Sequence, residues 1–118
     1  MAAPRSAKIT RFVHEDDHEL CLRIGELIEL SEVRESGPPA ILSRLQNGAW
    51  FVQDITETVR LALIGGGMHP TEAKALVKRA IKEAYLHDYL AIALECLFAA
   101  LVGVPEDTPE IADDEPGE

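Results

Sequence analysis

Glycine and proline punctuate residues 24–105 so regularly that only short helices fit between the stops. Gly37-Pro38-Pro39, Asn47-Gly48, Gly65-Gly66-Gly67, and Gly103 with Pro105 each end a helix. Proline lacks the amide a helix must donate, and glycine permits the turn out of the last coil. Between the stops, apolar residues recur at helical spacing. Ile24, Leu27, Ile28 and Ser31 define one face of a first helix, with Glu26, Glu29 and Glu32 largely off it. Pro39 sits early in a second, which carries Ile41, Leu42 and Leu45. Ala49-Trp50-Phe51-Val52 is a compact apolar connector in which Trp50, the only tryptophan, is expected to anchor the core. Asp54 and Glu57 have the spacing of a capping box, so a third helix is expected to start there and to turn Ile55, Val59, Ala62 and Leu63 inward.

His69-Pro70-Thr71-Glu72 opens a fourth helix, with proline at an early position and an acid in the first turn. Ala73, Leu76, Val77 and Ala80 form its inner stripe, and Lys74, Lys78, Arg79 and Lys82 its wet side. After a break expected near Leu86-His87-Asp88, the last helix runs to about Val102. It is apolar nearly all round, with Leu86, Leu90, Leu94, Leu97 and Leu101 on one side and Tyr85, Tyr89, Ile92, Cys96 and Ala99 on another. A helix of that kind is central in its fold or shared with a partner. Ahead of the helices, Lys8–Val13 and the stretch from His18 to Arg23 read as two strands of a β-hairpin joined by the polar residues 14–17. The expectation is one mainly α domain over 8–103, an N-terminal hairpin followed by about five short helices. A disordered lead at 1–7 and an acidic disordered tail at 104–118 complete it.

The formal charge of −10 is unevenly placed. Seven acids and no bases lie in 104–118, which leaves about −3 on the rest. A phosphate backbone is bound through Lys and Arg that displace its counterions, so nucleic acid is not an expected partner. The stripe Lys74, Lys78, Arg79 and Lys82 is the one feature that would favour it. Residues 1–10 carry charge without an apolar stretch behind it, so no secretory signal is expected. Glu95 interrupts the longest apolar run, which is too short to span a bilayer, so no membrane partner is expected and the expected place is the cytoplasm. Cys21 and Cys96 lie in apolar runs far apart in sequence, and two buried thiols of a reducing compartment are expected ahead of the alternative, a disulfide.

Reactive constellations are sparse. His14-Glu15-Asp16-Asp17-His18 carries metal-binding side chains, but in a hairpin turn the spacing of its histidines loses the meaning it has on a helix. Gly65–Gly67 has neither the lysine of a phosphate loop nor the GxGxxG spacing, and reads as a helix stop with a close-packed turn. Neither cysteine has a base nearby, and Ser31, Ser36 and Ser43 lack a nucleophile elbow. No catalytic residue, metal ligand or cofactor is expected, and the chain is not expected to be an enzyme.

Five segments, taken in order, carry a family resemblance. LRIGELIEL leads into the first helix, ILSRLQNGAW is a short helix ending at glycine with an aromatic after it, and DITETVRLALIGGG is an acid-led helix with a glycine stop. EAKALVKRAI and LFAALVG complete the order. The run resembles the tail proteins of gene transfer agents and related siphophage-like elements, described as phage tail-assembly chaperones and sometimes as tail tube proteins. The resemblance implies a role in assembly and no reaction. Its expected partners are the tape-measure protein, which such proteins are thought to coat, and the tail tube protein. Self-association is left open. A structural subunit retained in the particle is the first alternative, which would place the chain in a virion-like particle. A small helical regulatory module that binds other proteins is the second.

A chaperone for an apolar rod needs exposed apolar surface on a charged body. The glycine turn and the over-apolar last helix are the candidates for it. The expected contact surface combines Leu61, Ile64, Gly65, Gly66, Gly67 and Met68 with Leu94, Leu97 and Leu101.

Overall fold

The expected hairpin is present in a computed structural model, which describes residues 5–83 and 85–105, with its second strand two residues earlier than the expected His18–Arg23. β2 (Lys8–Val13) and β3 (Asp16–Cys21) pair antiparallel, with Ile9 opposite Leu20 and Val13 opposite Asp16. Ile9, Val13 and Leu20 are buried on the inner face, while Phe12 points outward and is 62% exposed. The link is tighter than the expected four residues. Only His14 and Glu15 lie between the strands, and His14 takes a positive φ of 63° to close the turn. Its amide donates to the Tyr89 hydroxyl at 3.2 Å, which ties the turn to the last helix.

Five helices follow, α1 (Ile24–Arg34), α2 (Pro38–Asn47), α3 (Val52–Gly65), α4 (Pro70–Glu83) and α5 (Leu86–Val102). The stops fall where glycine and proline put them. Gly48, at φ 75°, ends α2, and the Ala49 amide donates back to the Arg44 carbonyl. The break before α5 falls at Tyr85, one residue ahead of the expected Leu86–Asp88. At the two ends of the described chain, β1 (Arg5–Ser6) pairs antiparallel with β4 (Val104–Pro105). The lead expected over 1–7 and the tail expected from 104 therefore each give up residues to the folded unit. Residues 1–4 and 106–118, and with them most of both expected segments, lie outside the described residues.

α3 is the centre of the core. It packs against α5, β3, α4 and α1. Leu61, Ala62 and Leu63 are each at 0% exposure in succession, which a helix with one buried face does not allow. Trp50 packs partly buried against the core, as a linker anchor should. α1 is rotated from the expected phase. Leu30 and Glu26 are buried, whereas Ile24 and Ile28 are 73% and 55% exposed.

Asp54 does not cap α3 as its first residue. The helix begins at Val52, and Asp54, at its third position, turns its carboxylate back to accept from the Phe51 amide at 2.9 Å. The same carboxylate joins three helices. Oδ1 accepts from Arg34 Nε of α1 at 2.8 Å and from Arg44 Nη2 of α2 at 2.7 Å, and Oδ2 accepts from Arg44 Nε at 2.9 Å. Arg44 Nη1 reaches on to Ser36 Oγ. The Phe51 ring lies 5.9 and 5.7 Å from the two guanidinium carbons, within cation–π range. Asp54 is fully buried, and four hydrogen bonds use the acceptor positions a carboxylate has.

Candidate protein-binding surface

α5 is built from two apolar stripes, and the fold uses only one of them. Tyr89, Ile92, Ala93, Cys96, Leu97 and Ala99 are buried against α3, α2 and the hairpin. On the other side Leu94 is half-buried, and Phe98, Leu101 and Val102 are 47%, 39% and 49% exposed. Leu94 and Phe98 form one wall of a groove of about 490 Å³. Ile9 of β2 and Leu42 of α2 supply the facing apolar surface, and Val104 closes one side. Lys8, Arg11, Gln46 and Glu95 are the polar residues of the lining. Arg11 Nε donates to Glu95 Oε1 at 2.8 Å across the β2–α5 seam, and Lys8 Nζ lies 3.7 Å from Glu19. Both pairs are exposed to solvent, so they fix the rim more than they add stability. The groove is thus an apolar surface between a strand and two helices, edged by charge.

The surface expected from the sequence is divided by the fold. Leu94 lines the groove and Leu101 lies exposed farther along the same helix. Leu61 and Leu97, both at 0% exposure, are core residues, and no partner can touch them while the fold is closed. Ile64 is partly buried against the same core. Met68 faces a separate cleft beside the hairpin turn, with His14, His18, Glu72 and Arg79 among its lining. Gly67 is exposed at the turn.

Gly65 and Gly66 lie where β3 leaves no room for a side chain. A Cβ on Gly65 would overlap the Cys21 carbonyl, and one on Gly66 the Glu19 carbonyl, so the end of α3 lies directly on the strand's backbone. Gly66→Ala is accordingly expected to lower stability by about 1–3 kcal/mol through forced separation of α3 and β3. Gly25→Ala, where the new carbon meets nothing within 4 Å, should be neutral or slightly stabilising in the same thermal melts. Equal effects at the two positions would remove the close-approach explanation.

Phe98, Leu42 and the β2 wall were not among the expected contact residues. A signal for Phe98 was present: Leu94, Phe98 and Leu101 are four and three residues apart, an outer stripe on a helix that already has an inner one.

Chemistry in the rest of the molecule is quiet. Burial pushes the Cys96 thiol up to about 12 and raises the Cys21 thiol as well, the opposite of what a nucleophilic thiolate needs. Among the described residues, no group of three or more His, Cys, Asp or Glu could hold a metal ion, and no helix is long and apolar enough to cross a membrane.

This small helical fold keeps a second apolar stripe outside its core. Residues 6–103 match the family described as phage tail tube protein, GTA-gp10, and the chain belongs to that family. Membership gives it a general role in the assembly of phage-type tails. No match was found among curated proteins. Solved structures gave none either.

Proposed function

We propose that the chain is a tail-assembly chaperone that holds an apolar helical stretch of the tape-measure protein in the α5 groove and presents it to tail tube subunits. The observation that carries this reading is the outer stripe of α5, in which Leu94 and Phe98 line a groove while Leu97 between them lies in the core. Amphipathic helices dock by side chains at the same three- and four-residue spacing, so the groove and a helical rod are suited to each other. The groove also offers an aromatic anchor, the residue type that dominates protein contacts.

Phe98→Glu tests it. The side chain is half exposed, so the variant should melt within a few degrees of the parent. In a pull-down from cells expressing the tail genes, recovery of the tape-measure protein should fall more than tenfold, on the order expected for losing an aromatic anchor. Undiminished recovery would remove the groove from the reading.

The family description favours a second reading, a tube component that stays in the particle. Purified tails containing the chain at stoichiometric amounts would establish that reading, and its absence from them would leave the chaperone role.

A further inference from the structure

We propose that residues 106–118 of this same chain occupy the α5 groove when no partner is bound. The placement begins with Val104, which lines the groove, and Pro105, which is held beside it by pairing with Arg5. Residue 106 therefore starts at the groove's edge. Thirteen residues can extend over roughly 43–47 Å at about 3.3–3.6 Å each, and the longest dimension of the folded unit is 44 Å. Reach is no obstacle.

Charge and shape narrow the choice of occupant. The segment carries seven acids and no bases. The strand beside its starting point carries Lys8 and Arg11, and both belong to the groove lining. Glu19 and Glu95 offset part of that charge through their ion pairs with Lys8 and Arg11. Within 106–118, Ile111 is the one large aliphatic side chain, six residues beyond Pro105. Leu42, Leu94 and Phe98 give it an apolar seat. The exposed cations of α4 are a poorer match: Arg79 edges a cleft with Met68 and Leu76, but Glu15, Asp16 and Glu72 line it too and repel an acidic segment. Tethering supplies an effective concentration on the order of millimolar, enough for one aliphatic anchor and a few screened charges to hold a substantial share of the molecules.

The consequence rests on the chaperone reading: a tethered occupant screens the groove, and a partner must displace it. A segment held in the majority of molecules would weaken a partner's apparent affinity about two- to tenfold, in proportion to the unoccupied fraction.

The test uses the full chain. Amide spectra of the ¹⁵N-labelled protein are compared with those of Ile111→Asp, a change outside the described fold. Residues 8–11, 42–46 and 94–98 are expected to shift between the two, and residues 74–82 to stay. About 1 M sodium chloride, which cuts the screening length to about 3 Å, should move the parent spectrum towards that of the variant. Identical groove resonances would overturn the proposal. So would shifts confined to α4, or groove shifts that depend on protein concentration in both proteins, which would assign the groove to a second copy of the chain. The tape-measure pull-down is independent of this comparison, so loss of the chaperone reading would leave the intramolecular contact standing, and the reverse.

Discussion

Asp54→Ala is expected to lower the unfolding free energy by about 3–5 kcal/mol, the usual consequence of removing one member of a buried ion cluster. The substitution leaves Arg34 and Arg44, whose side chains are only 17% and 22% exposed, facing each other without their shared anion. It also removes the acceptor of the Phe51 amide. Urea denaturation would measure the loss, and a change below about 1 kcal/mol would show that the cluster is not holding α1, α2 and α3 together. Adding Arg34→Met and Arg44→Met to Asp54→Ala should recover part of the stability, because apolar replacement of a whole ion cluster is often near neutral.

The same carboxylate sets an acid limit. Burial pushes the Asp54 carboxyl upward, but the hydrogen bonds from Arg44, the Phe51 amide and Arg34 outweigh it and hold the group at about 2, below its ordinary 3.8. A depressed folded value means the unfolded chain takes up its proton first. The contribution, about 2 kcal/mol, is fully present above pH 4 or so and is lost as the pH falls through 2. In Asp54→Asn the stability lost between about pH 4 and pH 2 should be smaller by about that amount.

Leu97→Glu is expected to abolish the folded state. Leu97 is at 0% exposure in the core, and an unpaired carboxylate there loses its hydration with nothing in return. The penalty of several kcal/mol is comparable with the whole stability of a domain this size. Phe98→Glu, one residue on, should instead melt like the parent. Circular dichroism melts of the two variants would read the contrast directly. A folded Leu97→Glu would mean that α5 is seated in a different rotation, with Leu97 outward as the sequence expectation had it.

That contrast marks the limit of what the sequence disclosed. The helix stops and the hairpin were legible because glycine, proline and short runs of alternating or β-branched residues act locally, within a few residues. The rotation of α5 was not. Both of its stripes are apolar, so periodicity alone could not say which one the core takes. α1 misled for a related reason: Ile24 and Ile28 share a face with Leu27, and the buried Glu26 and Leu30 mark a different phase that only the packing decides. The Asp54 cluster carried no sequence signature, because its arginines lie 20 and 10 residues away and meet the carboxylate only once three helices have assembled. Gly65 and Gly66 were rightly placed in a close-packed turn, while the backbone they touch, that of Glu19 and Cys21, could be found only from the fold.

The pairing of β1 with β4 sets how the molecule responds to tension. Arg5 stands opposite Pro105 at the outer end of the pair and Ser6 opposite Val104 at the inner end, so both strands lead away in the same direction. A pull on the two ends does not shear this pair. It peels the strands apart one rung at a time, the geometry in which an antiparallel ladder yields at the lowest force, because its bonds are loaded singly. Only when the pair has parted does the load reach the hairpin and α5.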